Sequence, residues 1–195
     1  MKAYYEQRAP EYDDWYLGSG LFASRERPGW HAELVRLQGL IAELPAVRTL
    51  DVACGTGFLT RHLHGDVTAL DQSAAMCEIT RERCPRAQVV NAEALPLPFG
   101  DGTFDRVLSG HFYGHLAPAD RERFLAEARR VAPELVVVDT ALRDDVEPEE
   151  WQDRVLNDGS RHAVYKRFFT GEGLAAELGG GEVLLDGRWF VAVRA

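Results

Sequence analysis

The stretch Leu50-Asp51-Val52-Ala53-Cys54-Gly55-Thr56-Gly57-Phe58-Leu59-Thr60 is a short apolar run, a glycine turn and the start of a second apolar run. A run of strand length ending on glycines reads as a buried strand entering a tight turn ahead of a helix. The spacing predicts a strand over residues 48–53 and a helix over 58–63. Glycine at such a turn admits positive φ and lets the backbone approach a ligand with its amides exposed. The rhythm repeats downstream. Residues 66–70 form a second strand closing on Asp71, Ser73 caps a helix through Arg83, and residues 88–91 form a third strand. Residues 104–109 form a fourth, Pro118 opens a helix to Val131, and residues 135–139 form a fifth. Upstream, Leu34, Leu37, Ile41 and Leu44 recur at helical spacing over residues 30–44, and Pro45 stops that helix. A further helix is expected near residues 173–178, and residues 182–186 and 189–194 flank Gly187 as a hairpin. Apolar strands alternating with helices are buried on both faces. The fold class predicted is α/β: a doubly wound, mainly parallel sheet with a C-terminal antiparallel hairpin.

The chain of 195 residues suits one domain, with residues 1–29 as an N-terminal cap and residues 141–168 as an irregular insertion on the substrate side. An apolar content of 46% and a charged content of 27% exclude a disordered or fibrous chain. The net charge of −9 repels phosphate backbones, so no nucleic-acid partner is expected. Three cysteines without a CxxC pair read as reduced, mostly buried thiols rather than a disulfide framework or a metal site. The N-terminus lacks a signal-peptide apolar region, and no run has the length of a membrane span. The expectation is a cytoplasmic protein, monomer or homodimer, with no membrane partner.

The chemistry lies in Gly55 and Gly57 together with Asp71, about twenty residues after Asp51 at the end of the next strand. A carboxylate there can accept from both hydroxyls of a ribose. Two cofactor classes use this geometry. Nicotinamide dinucleotides usually want a third glycine where Thr60 stands, which weakens that alternative.

Four separated motifs then agree in order: Asp51-Val-Ala-Cys-Gly55-Thr-Gly57, Asp71-Gln72-Ser73 with Met76, Asn91-Ala92-Glu93-Ala94-Leu95-Pro96 with Phe104-Asp105, and Tyr5-x3-Ala9-x2-Tyr12-Asp13. Over roughly residues 4–140 the chain resembles the class I S-adenosylmethionine-dependent methyltransferases, in their small-molecule, ubiquinone/menaquinone-biosynthesis-like branch. The resemblance implies a Rossmann-like seven-stranded sheet and S-adenosylmethionine as cofactor. It implies that the backbone of Ala53, Cys54, Gly55 and Gly57 lines the methionine moiety above Asp51, and that Asp71 holds the ribose. Gln72 and Met76 would flank the adenine, and the Ala92 amide and Asn91 side chain would read its edge. Tyr5 and Tyr12 would close over the cofactor, and Ser109 would end the fourth strand beside it. Family members more often carry Asp at the position of Asn91, and some a larger apolar group at that of Gln72.

Methyl transfer needs alignment and exclusion of water, and a base only where the acceptor arrives protonated. Ser109-Gly110-His111-Phe112-Tyr113-Gly114-His115 follows the fourth strand, where family members face the methyl group. His111, His115 and Tyr113 are the candidate catalytic residues, with His111 the preferred base because it lies nearest the strand end. No Asn/Asp-Pro-Pro-Tyr signature, paired-glutamate loop or metal-binding carboxylate set is present, so the expected partner is a small-molecule acceptor methylated on oxygen or nitrogen. Basic and aromatic residues of the insertion, among them Arg154, Tyr165 and Lys166, would meet an anionic acceptor if they form a lid, and are otherwise a mixed-charge surface. A methyltransferase fold that binds the cofactor without methylating is the alternative function.

Overall fold

The computed structural model, which describes residues 2–195, places the strand–helix rhythm in a seven-stranded sheet covered on both faces. The cap contributes α1 (Lys2–Arg8) and α2 (Asp14–Leu17), followed by α3 (Trp30–Glu43). The sheet then alternates with helices: β1 (Thr49–Val52), β2 (Val67–Asp71), α4 (Ala74–Arg83), β3 (Gln88–Asn91), β4 (Arg106–Gly110), α5 (Pro118–Val131) and β5 (Glu134–Thr140). After β6 (Glu149–Val155) and β7 (Arg161–Arg167) come α6 (Gly171–Glu177), β8 (Glu182–Asp186) and β9 (Phe190–Arg194).

The valine run of β5 shows why the sheet is buried twice over. Leu135 and Val137 pack with Phe124 and Val131 of α5 and Leu174 of α6. Val136 and Val138 face the other way, toward Leu34, Leu37 and Ile41 of α3. A strand with period-two side chains can satisfy two helical layers only if every residue is apolar, and each buried Val or Leu contributes roughly 1.5–3 kcal/mol. Strand order is β3-β2-β1-β4-β5-β9-β8, parallel from β3 to β5 and antiparallel for the β9 and β8 pairings. Chain order reverses between β1 and β4, so a crevice opens beyond the carboxyl ends of those two strands.

Two segments differ from the sequence reading. The helix expected over residues 58–63 is one 3-10 turn, Thr60–His62. Phe58, Leu59, Thr60 and Leu63 are all buried, a set that no single helical stripe can face inward, and Leu63 is already extended with ψ 146°. The insertion is not irregular. β6 and β7 pair antiparallel in full register, and Gly159 makes the turn at φ +84°. The Asp158-Gly159 turn was a signal in the sequence, whereas the alternation of β6 between exposed and half-buried residues belongs to the fold, with Trp151 and Val155 on its exposed side. Cys77 and Cys84 are buried and Cys54 half-buried, all three as free thiols.

Candidate active site

Ala53 after β1 and His111 after β4 both adopt left-handed backbone, at φ 58° and 55°. For residues with a Cβ this conformation costs of order 1–3 kcal/mol, and such strain concentrates at functional sites. Both residues line a cavity of about 180 Å³ at the crevice between β1 and β4, together with Tyr5 and Tyr12 of the cap, Gly55, Asp71 and Gln72. Leu70, Ala94, Leu95, Phe112 and Leu116 give it an apolar side. A larger cavity of about 1010 Å³ adjoins it, walled by the cap and the β6–β7 hairpin. Tyr5, Tyr12 and His111 line both, so they form the shared wall.

Asp71 lines the smaller cavity, whereas Asp51, expected beneath the cofactor, is enclosed in β1 close to Asp71 and does not reach the cavity wall. Asp71 Oδ2 accepts from the Gly55 amide at 2.9 Å and Oδ1 from the Ser73 amide at 2.9 Å. Burial raises its pKa, and these backbone bonds only partly offset that. Each oxygen keeps a further lone pair for a ligand hydroxyl. Asp51 is more deeply buried, and its Oδ2 accepts from Thr60 Oγ1 at 2.6 Å. Burial pushes its pKa up to about 7; the Thr60 bond lowers it and the Asp71 charge raises it. Neither carboxylate has a cationic partner among the described residues. Thr60, read from sequence as a missing third glycine, is the residue that orients Asp51.

The cap is fastened over this site. Asp13 accepts from Thr56 Oγ1 at 2.6 Å and pairs with Arg83 at 2.6 Å, and Glu6 accepts from the Ala75 amide at 3.1 Å. A Cβ on Gly55 would lie 3.4 Å from the Tyr12 ring, and Gly55 sits at φ +57°. Gly57 has another task. A Cβ there would meet Cys84 Sγ at 3.0 Å and Thr80 at 3.2 Å, so its hydrogen lets the turn pack against α4.

Of the residues expected from sequence to hold a cofactor, the structure brings Tyr5, Tyr12, Ala53, Gly55, Asp71 and Gln72 to the cavity wall, with His111 beside them. Others lie elsewhere. The Ala92 amide donates to the Asp71 carbonyl at 3.1 Å, and the Asn91 side-chain amide donates to the same carbonyl at 2.9 Å. The amide expected to read an adenine edge is therefore engaged, because β3 stays paired with β2 through that position. Met76 is buried in α4, and the Cys54 thiol turns toward Thr80, 3.8 Å away. Ser109 is enclosed within β4, its hydroxyl without a partner among the described residues. Tyr113 sits in the core between Phe124 and Phe169 and lines neither cavity; burial pushes its phenol up to about 12. Glu93, Ala94, Leu95, Gly110 and Phe112 are wall residues that lay within the quoted motifs but were given no role of their own.

The two histidines differ in their partners. His111 stands among Trp15, Tyr16 and Phe190, its ring centroid 4.9 Å from that of Trp15, and neither ring nitrogen has a hydrogen-bond partner among the described residues. Burial depresses its pKa to about 3. His115 places Nδ1 2.7 Å from the Tyr165 carbonyl. A carbonyl only accepts, so Nδ1 carries the hydrogen and Nε2 is left with its lone pair. Burial, with the Lys166 and Arg154 charges, holds its pKa well below the usual histidine range. It lines the larger cavity. Among the described residues no grouping of three or more His, Cys, Asp or Glu is arranged to hold a metal ion, and no helix is long and apolar enough to cross a membrane.

Comparison with known proteins agrees with this geometry. A family model described as a methyltransferase domain matches residues 50–134. A demethylmenaquinone methyltransferase of Thermotoga maritima is 37% identical over 101 residues, covering 49% of this chain and 43% of that protein. Phthiotriol/phenolphthiotriol dimycocerosates methyltransferase 1 of Mycobacterium ulcerans is 35% identical over 133 residues, covering 63% and 47%. The chain thus spans less than half the length of these curated relatives. Among solved structures, DhpI in complex with SAH superposes with a TM-score of 0.76 at 26% identity, over 98% of this chain and 92% of DhpI.

Proposed function

This chain belongs to the class I S-adenosylmethionine-dependent methyltransferases, and from that premise we propose that it transfers a methyl group to an oxygen or nitrogen of a small-molecule acceptor held in the larger cavity. The observation that carries this is the pair of adjoining cavities sharing the wall of Tyr5, Tyr12 and His111 at the strand-order reversal. The smaller cavity suits the cofactor chemically. Asp71 offers carboxylate lone pairs to vicinal hydroxyls, Leu70, Ala94 and Leu95 offer an apolar face to a flat base, and Asp51, behind the wall, adds negative potential suited to a cationic methionine moiety.

When bound, S-adenosylmethionine supplies an electrophilic methyl on a sulfonium, which the acceptor atom takes by in-line displacement as the thioether leaves. The protein's work is alignment and desolvation. Tyr5 and Tyr12, fastened through the cap, exclude water from the shared wall. Depressed pKa values keep His111 and His115 neutral, the state in which a ring nitrogen can accept from an acceptor O–H or N–H. The Nε2 lone pair of His115 is oriented by the Tyr165 carbonyl, so His115 rather than His111 is the better-positioned acceptor of that proton. The test is calorimetry with S-adenosylhomocysteine and NADH, then S-adenosylhomocysteine release over a panel of phenols, carboxylates, amines and thiols. Micromolar S-adenosylhomocysteine binding with turnover on an oxygen or nitrogen acceptor is expected. Tighter NADH binding would overturn the cofactor reading, and binding without turnover on any acceptor would favour a non-methylating protein.

A further inference from the structure

Arg8 is a buried cation without a counter-ion. It is only 6% exposed, its guanidinium donates to the Tyr4 hydroxyl, and it lies 5.5 Å from the Tyr4 ring centroid and 5.1 Å from that of Tyr12. None of the protein's ion pairs among the described residues includes it. Burying an unpaired charge is strongly unfavourable, and two tyrosine faces compensate it only in part.

Arg8 lines the larger cavity, and two less buried arginines there also have no ion-pair partner among the described residues. Arg154, on β6, donates to Gln152 Oε1 at 2.7 and 3.1 Å and meets no carboxylate. Arg25, in the loop before α3, stacks over Phe22 at 4.7 Å and likewise has no acidic partner. The three are near enough that the Arg154 and Arg8 charges add to burial in lowering the Arg25 pKa. The remaining cations of this cavity are engaged. Lys166 pairs with Asp139, Arg143 with Asp145 at 2.8 Å, and Arg27 donates to the Trp15 carbonyl at 2.6 Å. Of the cavity's carboxylates, Asp153 pairs with Arg161, while Glu11, which accepts from the Asn157 amide at 2.8 Å, and Glu26 keep their charge but form no ion pair with the trio among the described residues. In a chain of net charge −9, three unpaired guanidiniums brought together by α1, a loop and β6 are a local exception to the field of the whole molecule.

We infer that Arg8, Arg25 and Arg154 form an oxyanion-binding subsite in the larger cavity, and that the methyl acceptor is a compact molecule bearing a carboxylate-, phosphate-, phosphonate- or sulfate-type group. The planar forks of arginine match the edges of such groups and bind them in bidentate pairs. Compactness follows from position: Arg8 adjoins Tyr12, which belongs to the wall shared with the smaller cavity, so the anion is held close to where the methyl is delivered. The identity of the ligand as an acceptor rests on the methyltransferase reading; the anion site itself does not.

The experiment titrates inorganic phosphate, sulfate and acetate by calorimetry into wild type, Arg25→Gln, Arg154→Gln and Arg8→Gln, at ionic strength held constant with chloride. S-adenosylhomocysteine is titrated in parallel. Wild type should bind at least one of these anions in the millimolar range, and the preferred probe tells a tetrahedral oxyanion from a carboxylate. Each variant should weaken that binding about tenfold or more while S-adenosylhomocysteine affinity stays within twofold. Arg25 is exposed and Arg154 half-buried, so those two variants keep their fold even if Arg8→Gln does not. Anion affinity unchanged in both Arg25→Gln and Arg154→Gln, or no anion binding by a wild type that does bind S-adenosylhomocysteine, overturns the subsite. Anion binding lost in the variants while no form binds S-adenosylhomocysteine would sustain the subsite and sink the methyltransferase reading.

Discussion

Asp51→Asn is expected to change the pH dependence of stability by an amount that the buried carboxylate sets. Burial moves the Asp51 pKa from 3.8 to about 7, so in the unliganded protein the folded chain holds a proton that the unfolded chain releases across that window. The sign follows from proton linkage. A carboxyl with a raised folded-state pKa contributes its full stability below the unfolded pKa, and loses it as pH rises through the folded pKa. At about 1.4 kcal/mol per pKa unit, ionising Asp51 in the fold costs roughly 4 kcal/mol, more than the Thr60 bond returns. Asparagine does not titrate and keeps a carbonyl for the Thr60 hydroxyl, while its unmatched NH₂ subtracts a pH-independent ~1–3 kcal/mol. The stability difference between variant and wild type should therefore swing by roughly 3 kcal/mol toward the variant between pH 5 and pH 8, whatever the fixed contribution of the amide. The burial that raises the Asp71 pKa is common to both proteins and cancels, while the repulsion between the two carboxylates, absent in the variant, is part of the swing. Urea unfolding of both unliganded proteins at the two pH values measures the swing. A value under about 1 kcal/mol, or one of opposite sign, would show that the Asp51 environment is wetter than its burial indicates. The variant should also bind S-adenosylhomocysteine more weakly, because a cationic ligand is what makes a costly buried carboxylate useful.

Asp71→Ala leaves the Gly55 and Ser73 amides without their acceptor, so it should lower stability by about 1–3 kcal/mol per amide and abolish measurable S-adenosylhomocysteine binding by calorimetry. Retained binding would mean that the strand end does not hold the ribose. Gly57→Ala, at φ +73° and with its Cβ 3.0 Å from Cys84 Sγ, should lower stability by about 1–3 kcal/mol in thermal unfolding. His115→Ala should reduce turnover by roughly 10²-fold with cofactor affinity unchanged, and the wild-type pH–rate profile should show no histidine limb between pH 5.5 and 8.5, since both imidazoles are held neutral there. A limb near pH 6.5 that disappears in His111→Ala would return the proton-accepting role to His111.

Local patterns were legible where one residue type answers one local demand. Ser73 caps α4 by accepting from the Met76 amide, Pro118 opens α5, and the valines of β5 need two apolar faces, so strand and helix positions came through with shifts of a residue or two. The glycine turn and Asp71 were readable for the same reason. The 3-10 turn at Thr60–His62 was not, because the apolar spacing alone does not show that Thr60 is held by Asp51. The hairpin of β6 and β7 carried its Asp-Gly turn in the sequence, yet β6 has no apolar alternation to announce it, since Trp151 and Val155 lie on its exposed side.

The chain of residues by itself determined the α/β class, the parallel order of strand and helix signals and the acid–glycine–acid signature of the cofactor side, since these depend on periodicity and on backbone freedom within a few neighbours. Only the tertiary structure decided which side chains meet. It sent Tyr113 and Ser109 into the interior, gave the Ala92 amide to the sheet, fixed the His115 tautomer through a carbonyl fifty residues away, and gathered Arg8, Arg25 and Arg154 from three separate elements. The physical reason is that propensity and patterning act locally. Burial, ion pairing and desolvation depend on what the rest of the chain brings within a few ångströms, and the same arginine is a solvated surface charge or a buried anion receptor according to that company alone.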